Sequence, residues 1–141
     1  MSYKIVTKYI KELSFKIPDA KSYFLLEKNI KNYEVNFDIK SKKINESVIE
    51  VDTNLKLVPQ KDDGKNIEVK VLFSSLINFE KDEKINSEEL EKIILTKVPE
   101  EVYPDIRSIF VFLFEKCGFK KINLEEKIDF EKLYKNRMSQ K

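Results

Sequence analysis

The sequence predicts an α+β domain, a four-stranded antiparallel sheet with two main helices on one face. Two observations carry this. Segments that alternate apolar and polar residues fill the first half of the chain, and helical spacing of apolar residues takes over after it. No Pro-, Gly- or Ser-rich linker and no internal repeat divides the 141 residues, so 1–141 is read as a single domain.

The first strand is expected over Tyr9–Ile17, with Tyr9, Leu13, Phe15 and Ile17 inward, Lys8, Glu12, Ser14 and Lys16 on the wet parity, and Lys11 interrupting the pattern. Pro18 ends it. Residues 19–32 read as an irregular connection whose Tyr23, Phe24, Leu25, Leu26 and Ile30 need cover. Tyr33, Val35, Phe37 and Ile39 then alternate with Glu34, Asn36, Asp38 and Lys40 without exception, which is the second strand. The third alternates Ile49, Val51, Thr53, Leu55 and Leu57 with Glu50, Asp52, Asn54 and Lys56. Asp62-Asp63-Gly64 supplies a turn into the fourth, about Ile67–Phe79. That strand is one-sided through Val71, but from Leu72 onward Leu72, Phe73, Leu76, Ile77 and Phe79 place apolar groups on both faces, so its second face needs a cover.

Asn86 and Glu89 fit an N-cap and its N3 partner for a short helix reaching toward Pro99. Pro104 is placed to open a longer helix of about fourteen residues that stops before Gly118, with Asp105 and Lys116 matching the helix dipole. Its segment Ile109 to Phe114 is apolar right round, where a helix on one sheet needs only a stripe. Self-association is the expected cover. A last helix follows Asp129, with Phe130, Leu133, Tyr134, Arg137 and Met138 on one face.

The chain has no His, so Ser-His-Asp, Cys-His and His-ligated zinc arrangements are excluded. A single Cys117 forms no internal disulfide or zinc ribbon, and two glycines, Gly64 and Gly118, make no phosphate loop. An enzyme would have to use paired carboxylates, and Asp62, Asp63, Glu88, Glu89, Glu100 and Glu101 all fall in turns or helix starts where acids are structurally expected. No catalytic residue, metal or cofactor is expected. Cys117 reads as a small core residue, since no base is present to activate it. Nothing from Met1 to Lys8 has signal-peptide character and no segment is long enough to span a bilayer, so a cytoplasmic protein without stable membrane insertion is expected. Net charge is +2, but with only Arg107 and Arg137 as arginines a nucleic-acid module using Lys40-Ser-Lys-Lys43 is a remote alternative.

Several segments resemble one family, the SecB protein-export chaperones. Tyr9-Ile-Lys-Glu-Leu-Ser-Phe15 followed by Pro18-Asp-Ala20 resembles the family's opening strand and turn. Lys97-Val-Pro-Glu-Glu-Val-Tyr-Pro-Asp-Ile-Arg107 resembles the proline-bracketed entry to its long helix, and Gly118-Phe119 with Ile128 to Met138 its closing helix. The resemblance runs over about residues 5 to 138.

It implies an ATP-independent holdase, a homotetramer built as a dimer of dimers, that binds unfolded preproteins in an apolar groove and delivers them to the SecA-type translocase ATPase. Tyr23, Phe24, Leu72, Leu76, Phe130, Leu133, Tyr134 and Met138 are the candidates for the groove, and each also reads as ordinary core. Ile109, Phe110, Phe112 and Leu113 are the candidate oligomer interface. The family's motor-binding face is acidic, and the corresponding outward positions here are Glu12, Lys16, Glu68 and Lys70, whose alternating charges cancel much of such a field. A specialised SecB-like chaperone of a toxin-antitoxin system is the alternative within the family.

Overall fold

Each alternating segment does form a strand, and the strands close into one antiparallel sheet of order β1-β4-β3-β2. The computed structural model describes residues 3–29, 33–59, 67–79, 87–118 and 124–139, apart from the side chains of 25–29 and 137–139. In chain order the elements are β1 (Tyr3–Lys16), α1 (Ala20–Asn29), β2 (Tyr33–Lys43), β3 (Val48–Pro59), β4 (Glu68–Phe79), α2 (Ser87–Lys92), α3 (Val98–Lys116) and α4 (Phe130–Ser139). The Asp62-Asp63-Gly64 turn and the Asn86 cap lie outside the described residues.

β2 and β3 pair without a break from Tyr33 opposite Pro59 to Lys43 opposite Ile49. The hairpin closes where the Asn45 side chain accepts bonds from the backbone N–H of Ser47 and Val48, each at 2.9 Å, and Ile44 N–H donates to the Val48 carbonyl at 2.9 Å. That last bond sets the phase of the ladder: Ile44 and Val48 are a hydrogen-bonded pair, so the even-numbered residues of β2 bond to β3. Pro59 falls opposite Tyr33 in a non-bonded pair, where its missing N–H takes nothing from the ladder.

β1 is longer than the Tyr9–Ile17 expected and carries two irregularities, between Ile5 and Thr7 and between Ile10 and Glu12. Val6 and Lys11 are the extra residues. Each inserted residue moves what precedes it to the other face. Tyr9 therefore stands opposite Ser74 on the helix-free face, and Leu13 and Phe15 opposite Val71 and Val69 on the helix-covered one. The single inward parity expected for Tyr9 and Leu13 is corrected by the bulge at Lys11. Lys8 likewise turns from the wet face toward the helices, where its Nζ meets Asp105 at 2.8 Å.

The connection expected over 19–32 contains a helix, α1. Asp19 caps it, accepting the Ser22 N–H at 2.7 Å, and the sequence reading missed it because its apolar residues are contiguous rather than spaced.

Among the helices after the sheet, α2 passes into a π turn at Ile93–Lys97, where the Val98 N–H reaches the Ile93 carbonyl five residues back. Pro99, not Pro104, occupies the first turn of α3, and Pro104 lies inside the helix on an exposed position. α3 is thus nineteen residues long, begun six residues earlier than expected, because the π turn feeds it without a break.

The core lies on one side of the sheet in two clusters. Val102, Ile106, Phe110 and Phe114, one stripe of α3, press on Leu55, Leu57, Val69, Val71 and Phe73. Ile94 and Leu95 of the π turn, with Val98, cover Val51, Ile77 and Phe79. Full burial of each such side chain contributes about 1.5–3 kcal/mol. Tyr103 donates to the Glu125 carbonyl and Arg107 Nε to the Leu124 carbonyl at 3.1 Å, which straps the approach to α4 across α3. No helix among the described residues is long and apolar enough to cross a membrane.

Candidate functional site

Three surfaces emerge from this arrangement. The first is the helix-free face of the sheet, which collects the residues that face away from α3. Glu12, Lys16, Glu68 and Lys70 come together there: Lys16 stands opposite Glu68, and Lys70 reaches Glu12 at 3.3 Å. Further along the same face Tyr9 donates to Glu50, and Lys11 bonds both Glu50 at 3.0 Å and Asp52 at 3.1 Å. The Tyr9 hydroxyl, then Lys11, hold the Glu50 carboxyl below the usual carboxylate range. Acids and lysines interleave, so the face is charge-matched within itself rather than acidic.

Leu72 and Leu76 belong to this face and not to a groove under the helices. They share the parity of Glu68 and Lys70, and stand opposite Glu12 and Thr7. Their groove assignment is corrected by that register.

The second surface is apolar and runs along β1 and the flank of α3. Tyr3 donates to Glu101 at 2.8 Å, Lys8 pairs with Asp105, and the Phe15 and Phe114 rings meet at 5.1 Å, so this flank of α3 faces β1. Phe112 follows Glu101 and Asp105 at helical spacing and is 55% exposed. Ile10 and Leu13, on the helix-side face of β1, are 46% and 45% exposed. Ile109 and Leu113 are half-buried. Phe110 is removed from the candidate interface, because it is 1% exposed within the core of its own chain.

The third surface is the edge strand β2. Its odd residues Tyr33, Val35, Phe37 and Ile39 form a half-buried row on the helix side. The Phe37 ring touches those of Phe130 at 5.3 Å and Tyr103 at 5.8 Å. Phe130 is 2% exposed, so it too leaves the groove list, closed off by this aromatic triad. Leu133 is 45% exposed on α4, Tyr134 is half-buried against the second cluster, and the Met138 side chain lies outside the described residues. On α1, Tyr23 packs on the margin of the first cluster and Phe24 is 65% exposed. The eight groove candidates therefore spread over several places, and the β2 row, read from sequence only as a half-buried strand, joins them. Its signal was available: it is the one clean alternating strand at a sheet edge, but edge position is not written in a single strand.

A recess of about 660 Å³ opens between α3 and the start of α4, with Tyr103, Pro104, Ile128 and Phe130 in its wall beside Lys97, Glu100, Lys127, Asp129 and Glu131. Its lining is mixed, apolar and charged. Among the described residues no group of three or more acids or Cys is gathered as metal ligands would be. Cys117 is half-buried, with its thiol pushed up by burial, as befits an inert packing residue.

The family model described as preprotein translocase subunit SecB matches residues 1–141. A protein-export protein SecB of Pelagibacter ubique is 38% identical over 137 residues, 96% of each chain. One from Burkholderia vietnamiensis is 26% identical over 138 residues, covering 98% of this chain and 84% of that one. Among solved structures, the SecB-like chaperone of Mycobacterium tuberculosis, in complex with a ChAD peptide from the HigA1 antitoxin, matches at a TM-score of 0.66 and 19% identity, over 87% of this chain and 86% of that one.

Proposed function

The chain belongs to the SecB family and is a chaperone of protein export, and from that premise we propose that it holds unfolded preproteins in the cytoplasm, without ATP, and passes them to a SecA-type ATPase. The observation that carries the holdase reading is the half-exposed apolar row of β2, with Phe24 and Leu133 exposed on α1 and α4. Unfolded chains offer apolar side chains in no fixed order, and aromatic and aliphatic walls accept them because such contacts are non-directional. Several weak contacts along one wrapped chain then add by multivalency. No bond is made or broken.

The exposed Ile10, Leu13 and Phe112 support a homotetramer built from two dimers, since soluble monomers rarely leave such a patch open. Glu12, Lys16, Glu68 and Lys70, gathered on one uncovered face, support that face as the motor-docking surface. Their mixed charge favours a second reading, a specialised chaperone of a toxin-antitoxin system, like the mycobacterial neighbour with its antitoxin peptide. The 38% identity to a relative named for export weighs toward the first. The test is suppression of aggregation of a slow-folding preprotein, with oligomer mass measured in the same buffer. A protein that leaves aggregation unchanged refutes the holdase reading.

A further inference from the structure

Four acids of the helix-free face are already engaged within the chain: Glu12 holds Lys70, Glu50 and Asp52 share Lys11, and Asp38 lies 3.8 Å from Lys40. The lysines are not matched in the same way. Lys56 is exposed and stands directly opposite Lys70 on the neighbouring strand, with Asn36 on its other side, and among the described residues it forms no ion pair. Like charges directly opposite each other destabilise a strand pair. Lys16 stands opposite Glu68, again without an ion pair among the described residues. Lys16, Lys70 and Lys56 therefore form an arc across β1, β4 and β3, the first two on a diagonal and the last two face to face. Half-buried Ser14 stands opposite Lys70 on the inner side of the arc. Beside it opens a recess of about 630 Å³ whose wall includes Ser14, Lys56, Val58, Lys70, Glu12 and Glu68.

We propose that this arc docks a short acidic segment of a partner protein, with a carboxylate settling between Lys56 and Lys70. The inference rests on the reading of the helix-free face as a docking surface and names the chemistry of what docks there. A carboxylate in that place answers both lysines at once, whereas Glu12 answers only Lys70. It also removes the repulsion that the isolated chain carries. Glu12 and Glu68 flank the arc and repel acids beyond it, so the fit is to one or two carboxylates rather than to a long polyanion. A motor that expects an acidic face and a partner that supplies acids make opposite demands on Lys70.

The test uses the intact protein at low salt and a labelled peptide with two glutamates at alternate positions among glycine and serine, beside glutamine and lysine versions of it. The glutamate peptide should bind about tenfold more tightly than the glutamine one, and that lead should shrink at high salt. Lys56→Gln should weaken the glutamate peptide about fivefold without lowering Tm, since the same change relieves the repulsion with Lys70, and Lys56→Arg should keep the affinity. Affinity lost at undiminished stability is what a merely structural lysine would not show.

Equal binding of the glutamate and glutamine peptides overturns the proposal, as does a Lys56→Gln protein that binds the glutamate peptide unchanged. Tighter binding of a single-stranded DNA of the same charge overturns it in favour of a nucleic-acid surface. Tighter binding of the lysine peptide, lost when Glu12→Gln and Glu68→Gln are combined, overturns it in favour of a basic partner and leaves the docking reading standing. If neither the peptides nor a SecA-type ATPase is captured, the docking reading falls as well. Capture of the ATPase alone, with an affinity that Lys56→Gln leaves unchanged, refutes this inference only.

Discussion

The Tyr23 hydroxyl lies over Gly118, 2.8 Å from where a β-carbon on that residue would stand. Gly118 also has a φ of +89°, a left-handed conformation that ends α3 and that L side chains rarely adopt. Gly118→Ala should therefore lose about 1–2 kcal/mol in urea unfolding, from backbone strain and displacement of Tyr23 together. Adding Tyr23→Phe to that variant should recover only the part due to the hydroxyl.

Phe112→Asp should split the assembly while leaving the fold of each chain intact, because the side chain is 55% exposed and contributes little to its own core. Light scattering is the measurement. A wild-type particle of 16.8 kDa at micromolar concentration would remove the basis for this expectation.

Phe130→Ala should cost about 3–5 kcal/mol of stability, as truncation of a closed aromatic does. Leu133→Ser and Phe24→Ser should leave stability within about 0.5 kcal/mol and reduce capture of an unfolded preprotein. Parallel thermal melts and aggregation assays separate the two classes. Equal loss of stability and capture in the serine variants would assign Leu133 and Phe24 to the core.

Glu50 gives a pH signature. Its carboxyl is held below the ordinary value of 4.5 by Tyr9 and Lys11, so its contribution to stability is present above that value and lost as pH falls through the lower, folded one. Glu50→Gln should be less stable than wild type at pH 7, and the gap should narrow at a pH well below 4.5. Urea midpoints at both pH values check this.

Lys16→Glu with Lys70→Glu should speed and tighten binding to a motor that expects an acidic face, most clearly at low salt, with the exposed pairs worth roughly 0.2–1 kcal/mol each. The Lys70 to Glu12 pair is broken in this variant, so its stability is measured alongside. Weaker binding by calorimetry would show the lysines meeting acids on the partner, and would favour the specialised chaperone.

β2 and β3 were legible in the sequence because they pair without a bulge, so alternation in the chain is alternation in space. β1 was misphased for the opposite reason: Lys11 looked like an interruption of one apolar face and is the residue that exchanges the two. Leu72 and Leu76 share the parity of Glu68 and Lys70, and that alone places them on the helix-free side of the sheet. The all-round apolar stretch of α3 resolves into a buried stripe and an exposed flank, a division set by which neighbour each side meets. The β2 row was recognised as strand and not as surface, since strand order depends on pairings between distant segments.

The two extra residues of β1 also bear on how relatives are compared. In a homologue lacking a residue at Lys11 the counterparts of Tyr9 and Ile10 would keep their places opposite Ser74 and Phe73, so a gap drawn one place earlier equates an inner side chain with Lys11, an outer one. Along the first ten residues of this chain, position in an alignment and position in space part company, and structural superposition rather than letter matching tells which substitutions are equivalent.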